Sequence, residues 1–237
     1  MNETQSRASS PARAALVAVA LTVAAFLGTV IVGVAVLIPM FSAGYELTDT
    51  PVLVVATVAT QLAFLAVGFL YVRRYGLRIS LSRPGLRSLG IVIVGVVVAL
   101  AVAMGLLLVV SVLDLQPDSA LEESAAADPT YLLALAVLSL VLIGPAEEFL
   151  FRGVVQGRLR KSFGPAGAIV GASLLFGSMH LFNYLGSPAE VLAGALLISC
   201  VGVVFGALYE LTDNLVVPIL VHGIYNVVLM LSSYFAL

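Results

Sequence analysis

A series of apolar runs, each long enough to cross a lipid bilayer, constrains this chain more than any other feature. A helix rises about 1.5 Å per residue, so about 20 apolar residues cross a hydrocarbon core of roughly 30 Å. We therefore predict an all-α fold, a polytopic transmembrane bundle of about seven spans. The predicted spans are 14–38, 51–72, 88–113, 131–157, 165–184, 191–209 and 214–236.

The composition excludes several classes of protein. Hydrophobic residues make up 61% of the 237 residues and charged residues only 10%, whereas a soluble domain carries about 25% charged residues. Eleven Lys and Arg residues stand against thirteen Asp and Glu residues. The chain therefore has no basic field for a polyanion, and we expect the lipid bilayer rather than a nucleic acid as its partner.

The charges between the spans predict an orientation. Ten of the eleven cations fall in the N-terminal tail or in the segments 73–87 and 158–164, whereas the segment 114–130 is acidic and has no cation. The positive-inside rule places cation-rich loops in the cytoplasm. We therefore predict a multi-pass protein of the cell membrane with a cytoplasmic N-terminus and a site that opens to the cytoplasm.

The same reading divides the chain into four parts. We predict a cytoplasmic tail (1–13), three N-terminal transmembrane helices (14–113), an acidic extracytoplasmic loop (114–130) and a four-helix C-terminal core (131–237).

Small residues in the last spans indicate close helix packing. Gly167 and Gly171, and likewise Gly202 and Gly206, have the spacing that lets two helices approach closely. The single cysteine, Cys200, lies inside an apolar run, so we predict a buried packing residue rather than a catalytic thiol.

Titratable side chains inside the predicted spans mark the candidate site. Such groups are costly in a membrane and usually serve function or pair with one another. The last four spans contain Glu147, Glu148, Arg152, His180 and His222.

The two adjacent glutamates are predicted to differ in environment. Glu148 and Arg152 are four residues apart and share a helix face, which suits an ion pair. Glu147 is rotated by about 100° from Glu148, and no second cation remains for it. A poorly solvated carboxylate is a candidate general base, whereas the Glu–Arg pair could equally lock two helices together. Pro145 lacks an N–H and is expected to bend the helix here.

Both histidines have a polar or aromatic companion one helical turn away. Phe176 and His180 share one face, and His222 and Asn226 share another. Each pattern alone also fits a hydrogen-bonded residue that joins helices. Their occurrence on three neighbouring spans with the glutamates favours one common site.

Three motifs, in this order on successive predicted helices, resemble the CAAX-protease and bacteriocin-processing (CPBP, or Abi) family of intramembrane proteases. The run from Glu210 to Ile219 that leads into the last motif is also similar, and the resemblance covers residues 130–237. The motifs are Glu147-Glu148-x-x-x-Arg152, Phe176-x-x-x-His180 and His222-x-x-x-Asn226.

The resemblance implies peptide-bond hydrolysis within the bilayer. By position, Glu147 would activate water with the help of His180, and the Glu–Arg pair would orient the site. His222 and Asn226 would stabilise the oxyanion or hold a metal. The implied substrate is a membrane-associated protein, either lipidated and CAAX-like or leader-bearing.

The cofactor and two other functions stay open at this point. Glu147, His180 and His222 are an adequate ligand set for one divalent cation such as zinc, but no HExxH motif is present. A non-catalytic immunity or scaffold protein would bind a peptide in the same cleft. A proton-coupled transporter is less favoured, because the chain has no inverted repeat.

Overall fold

Long helices make up most of the regular structure in residues 10–237, the part of the chain that the computed structural model describes. Most of the predicted tail 1–13, including Arg7, lies outside the described residues. The N-terminal helices are α1 (Pro11–Ser42), α2 (Thr50–Tyr75) and α3 (Leu86–Val112). The polytopic all-α prediction is confirmed.

The C-terminal half has more varied helical geometry. Two stretches are π-helical, Ser139–Ile143 and Phe149–Gln156, and one is a 3₁₀-helix, Leu181–Asn183. The other elements are β1 (Asp118–Ser119), α4 (Ala120–Ala127), α5 (Thr130–Leu138), α6 (Gly144–Glu148), α7 (Gly157–Ser178), β2 (Tyr184–Leu185), α8 (Pro188–Thr212) and α9 (Val216–Ala236).

Six segments of the described chain are long and apolar enough to cross a membrane. The fourth, Thr130–Asn183, has 54 residues, far more than the ~20 that one crossing needs. It folds back at Gly164, whose φ of 68° is a left-handed conformation that favours glycine. Because the fourth segment is divided into two helical parts, the six segments contain seven long helical parts. We call residues 130–163 the first arm and residues 165–178 the second arm.

The two arms pack against each other. The rings of Phe151 and Phe176 lie 5.2 Å apart in an edge-to-face arrangement. The second arm was predicted to continue to residue 184, but its α-helix ends at Ser178. The N–H of His180 donates to the carbonyl of Gly177, three residues back, so the last turn tightens and the chain leaves the helix.

The predicted loop 114–130 is structured. It contains β1, which pairs antiparallel with β2, and the helix α4. Near its end, the hydroxyls of Thr50 and Thr130 donate to Asp128 and hold the pKa of that carboxyl below its ordinary value. The segment is therefore tied to neighbouring elements at both of its ends.

The outside of the bundle is apolar. Large aliphatic side chains stand exposed on the helices, among them Ile31, Leu70, Val97 and Leu108. Such a surface is suited to lipid and not to water. With six apolar segments, it identifies the chain as a multi-pass membrane protein. Cys200 is also exposed, so its predicted burial is wrong: in a bundle surrounded by lipid, an apolar run does not imply an interior position.

Glycines allow the central helices to approach closely, as their spacing predicted. Gly167 lies against Phe163 and Gly171 against Leu159, which closes the hairpin of the two arms. Gly202 and Gly206 belong to α8 and face polar side chains of the first arm. These contacts hold the first arm among its neighbours.

A methyl group at Gly177 tests this close packing. It would overlap Ser199 Oγ and the carbonyl oxygen of Ala195 on α8, so we expect Gly177→Ala to lower the free energy of unfolding by about 1–3 kcal/mol. In the matched variant Gly105→Ala the methyl group meets open space, and the gain in helix propensity is up to about 1 kcal/mol. Thermal unfolding in detergent compares the two. Equal stability losses would contradict this packing.

Candidate active site

The first arm is irregular around its two glutamates. Pro145 has no N–H to donate, so the α-helical bond of the preceding turn cannot form there. The helix is π-helical before α6 and again after it, and α6 carries Glu147 and Glu148. π-Helical turns are rare and frequent at functional sites. The disturbance predicted from Pro145 is present, and it extends to both sides of the glutamates.

Glu148 forms the centre of a buried charge cluster. Its side chain is fully buried, with Oε2 3.0 Å from Arg152 Nε and Oε1 3.0 Å from His222 Nδ1. The carboxylate therefore contacts two basic side chains from two different helices. The predicted Glu148–Arg152 pair is present, and His222 is its second partner.

Arg152 is fully buried and lies against aromatic rings. Its guanidinium carbon is 4.8 Å from the centroid of Phe176 and 5.9 Å from that of Phe205. The Nε–Oε2 contact with Glu148 is close but lacks hydrogen-bond alignment, and Nη1 and Nη2 have no hydrogen-bond partner among the described residues. Coulombic attraction and the ring faces therefore stabilise this cation.

Glycines bring α9 and α8 to the cluster. Gly144 of the first arm lies against the backbone of α9 at Gly223, and Gly223 lies against the carbonyl oxygen of Ser139. This contact places the adjacent His222 at the glutamates. On α8, a Cβ at Gly202 would lie 3.3 Å from Arg152 Nη2, so the glycine leaves room for the guanidinium.

Glu147 has a different environment from Glu148. Its residue exposure is 5%, and Oε1 accepts a hydrogen bond of 3.0 Å from Gln61 Nε2 on α2. Oε2 lies 3.8 Å from His222 Nε2, too far for a direct hydrogen bond. One oxygen of this carboxylate is thus held by a neutral amide, and the other faces an imidazole nitrogen.

The partners of both histidines indicate that Nδ1 of each ring carries a hydrogen. Nδ1 of His222 faces a carboxylate, and Nδ1 of His180 lies 3.0 Å from the carbonyl oxygen of Phe176. These oxygens are acceptors, so both Nδ1 atoms donate and both Nε2 atoms are left for other contacts. The His222 ring stacks on Phe205 at 4.7 Å, which fixes its plane.

The structure joins four of the six predicted site residues directly. Glu147, Glu148, Arg152 and His222 form the contacts described above. His180 is half-buried and reaches the cluster through the Phe176 ring, which packs against both imidazoles, but it does not touch Glu147. Asn226 is half-buried and makes no hydrogen bond within the described part of the chain.

Two residues were missed by the sequence analysis. Gln61 contacts Glu147, and Gln156 continues the polar side of the first arm by donating to Glu210 on α8. Both residues are uncharged amides, and neither lies in one of the three motifs, which include Asn226 as their only amide. The available signal was a lone amide inside an apolar run, which is costly to bury without a partner.

The donor set does not fit a metal ion. In residues 10–237 no three His, Cys, Asp or Glu side chains are grouped to hold one. Glu147 and His222 offer two converging atoms, but His222 Nδ1 is engaged by Glu148 and His180 does not join them. A catalytic zinc site has three protein ligands, and these residues supply only two.

The buried pair predicts a strong effect on stability. In Arg152→Leu, Glu148 loses its permanent cation, so we expect a loss of about 3–5 kcal/mol. The double variant with Glu148→Leu should recover most of that loss, because it buries no unpaired charge. Arg160→Leu is the control: it breaks a pair whose arginine is 55% exposed, worth about 1 kcal/mol or less. Thermal unfolding distinguishes these, and a double variant as unstable as Arg152→Leu would contradict the argument.

Comparisons with known proteins support the resemblance found in the motifs. The uncharacterized protein YpbD of Bacillus subtilis (strain 168) is 34% identical over 88 residues, which are 37% of this chain and 40% of YpbD. The chain thus matches less than half of the length of that curated relative. No solved structure matches it. Residues 129–228 match the family described as Type II CAAX prenyl endopeptidase Rce1-like. All six predicted site residues lie within this match.

Proposed function

We propose that this chain is an intramembrane endopeptidase in which Glu147 is the general base. The observation that supports this most is the division between the two buried glutamates. Glu148 contacts Arg152 and His222 at 3.0 Å, whereas among the described residues no basic side chain lies within hydrogen-bond distance of Glu147, whose Oε2 faces His222 Nε2 at 3.8 Å. A water molecule can hydrogen-bond to both of those atoms.

The proposed hydrolysis has two steps. Glu147 takes a proton from the water while the water oxygen bonds to the carbonyl carbon of the scissile peptide, and the carbonyl oxygen becomes an oxyanion. Donors at the site then stabilise that oxyanion. When the carbon–nitrogen bond breaks, the proton held by Glu147 passes to the leaving amine. The products are a carboxylic acid and an amine.

The other site residues have supporting roles in this proposal. Glu148 and Arg152 orient His222, whose Nε2 lies at the reacting position. Asn226, with an uncommitted side-chain amide, is a proposed oxyanion donor, and so is His222 in the form in which Nε2 also carries a hydrogen. His180, whose Nε2 is available, assists the proton transfers when substrate is bound, since catalytic contacts are often long before binding.

A membrane-associated protein is the proposed substrate, with a lipidated CAAX-like tail or a leader-type segment. The similarity to a family of CAAX prenyl endopeptidases supports a CAAX prenyl substrate. On the outside of the bundle, an apolar groove of about 430 Å³ lies between α2 and the first arm, lined by Leu62, Leu65, Ala66, Phe69 and Phe149. Two of its lining residues, Leu62 and Phe149, directly follow Gln61 and Glu148 in the sequence. The groove therefore offers an apolar surface on the same two elements that carry the site.

We also propose the orientation and the division of the chain. The cation-rich segments 73–87 and 158–164 lie at one end of the bundle, where residues from both line a common pocket with the end of α8. The positive-inside rule supports a cytoplasmic position for that end and for the N-terminus. Residues 131–237 are proposed as the catalytic core.

Substitution of the proposed base tests this function. Glu147→Gln keeps the shape and a polar atom for Gln61 but cannot accept a proton from water, so we expect cleavage to fall by about 10²–10⁴-fold with unchanged thermal stability. The control is Glu123→Gln, which alters an exposed carboxylate on α4. The measurement is turnover of a peptide library by detergent-purified protein. Full turnover by Glu147→Gln would end the proposal and favour a peptide-binding scaffold.

Chelation tests the role of metal. Because the site offers two converging ligand atoms instead of three, we expect EDTA to leave the turnover of the purified protein unchanged. The control is a known zinc peptidase treated in the same way. Turnover that is lost to EDTA and restored by zinc would show that substrate binding completes a metal site.

A further inference from the structure

We propose that Gln61 of α2 is a positioning residue of this site, which fixes the Glu147 carboxylate and selects the oxygen that acts as the base. The inference rests on the proposed role of Glu147. Gln61 lies 68 residues before the start of the matched segment 129–228, so neither the motifs nor the family match assigns it a function.

The bond between Gln61 and Glu147 is formed in an apolar environment. Gln61 is 5% exposed, and on its own helix Phe64 and Ala63 are buried beside it. A hydrogen bond from an amide to a carboxylate is charge-assisted and about twice as strong as one between neutral groups. Low local polarity strengthens it further. The bond is therefore strong enough to decide the orientation of the carboxylate.

The consequence is a distinction between the two oxygens of Glu147. Oε1 is committed to Gln61 Nε2 at 3.0 Å, and Oε2 faces His222 Nε2 at 3.8 Å. Rotation of the carboxylate would break the bond to the amide. Gln61 thus keeps Oε2 at the position where a water molecule contacts both the base and the imidazole.

The second atom of the amide is also suited to this task. Gln61 Oε1 is buried and has no hydrogen-bond partner among the described residues. Buried acceptors are nearly always satisfied, often by an ordered water. A water that donates one hydrogen to Glu147 and the other to Gln61 Oε1 would satisfy this acceptor and would keep the lone pairs of its oxygen free for reaction.

The three N-terminal helices therefore contribute more than membrane anchorage. α2 packs against the first arm, with Gly68 of α2 in contact with the Phe149 ring. Loss of that contact would remove Gln61 from Glu147. The site is then complete only when the N-terminal helices are packed on the matched segment.

Gln61→Leu removes both polar atoms at nearly constant volume. We expect kcat to fall by about 10- to 100-fold, the effect of losing a hydrogen bond to a charged group, while KM changes little and the unfolding temperature falls by no more than the loss of one buried hydrogen bond explains. The matched control is Thr60→Val on the same helix, whose hydroxyl bonds only to the Ala56 carbonyl and which should keep the full kcat.

Gln61→Glu supplies a second test, with a readout that a purely structural residue would not change. When protonated, the introduced carboxyl still donates to Glu147. When ionised, it faces Glu147 and Glu148 across a site whose basic groups are Arg152 and His222, and like charges repel. We expect kcat relative to the full-length wild-type protein to fall as pH rises.

The outcomes separate this inference from the proposed function. Wild-type kcat in Gln61→Leu and a wild-type pH profile in Gln61→Glu, while Glu147→Gln is inactive, would overturn the positioning role and leave the proposed function standing. Undiminished turnover by Glu147→Gln would overturn both. If Gln61→Leu does not fold, the pH profile of Gln61→Glu alone decides, and an unchanged profile counts against the inference.

Discussion

A charge buried in an apolar bundle must find its partner inside the protein, and the pairing of Glu148 governs the rest of this structure. Isolated ionised groups in such surroundings cost many kcal/mol. Glu148 meets Arg152 from its own helix and His222 from α9, and both contacts are 3.0 Å. The pairing thereby fixes the first arm against α9, and the aromatic rings around the guanidinium fix it against the second arm and α8.

The neighbouring Glu147 makes different contacts from those of Glu148. Two carboxylates that are adjacent in sequence point to different partners because a helix rotates by about 100° per residue. Glu148 contacts the basic groups, whereas Glu147 contacts a neutral amide from α2 and faces the edge of an imidazole. Such a separation of two similar groups by their surroundings is how proteins assign different chemical roles to identical side chains.

Much of this arrangement could be predicted from the sequence because it depends on local periodicity. The apolar runs indicated the long helices, and the four-residue spacing of Glu148 and Arg152 indicated the ion pair between them. Contacts between distant segments could not be predicted in this way: Gln61 reaches Glu147 across 86 residues, and no local pattern records that approach. The second arm ends early with a backbone bond from His180 to Gly177, and the apolar pattern of the sequence does not indicate that end. The roles assigned to His180 and Asn226 remain predictions.

The π-helical stretches beside the glutamates limit the insertions and deletions that the gene can tolerate. In a helix that is confined by neighbours on every side, each residue between Glu148 and Gln156 sets the direction of all those after it. Loss of one codon within residues 149–151 would swing Arg152 and Gln156 away from α8 together, and loss of one within residues 153–155 would swing Gln156 away from it. The same loss between α3 and β1 would shorten a surface connection. Insertions and deletions should therefore accumulate outside the bundle and be absent from this stretch.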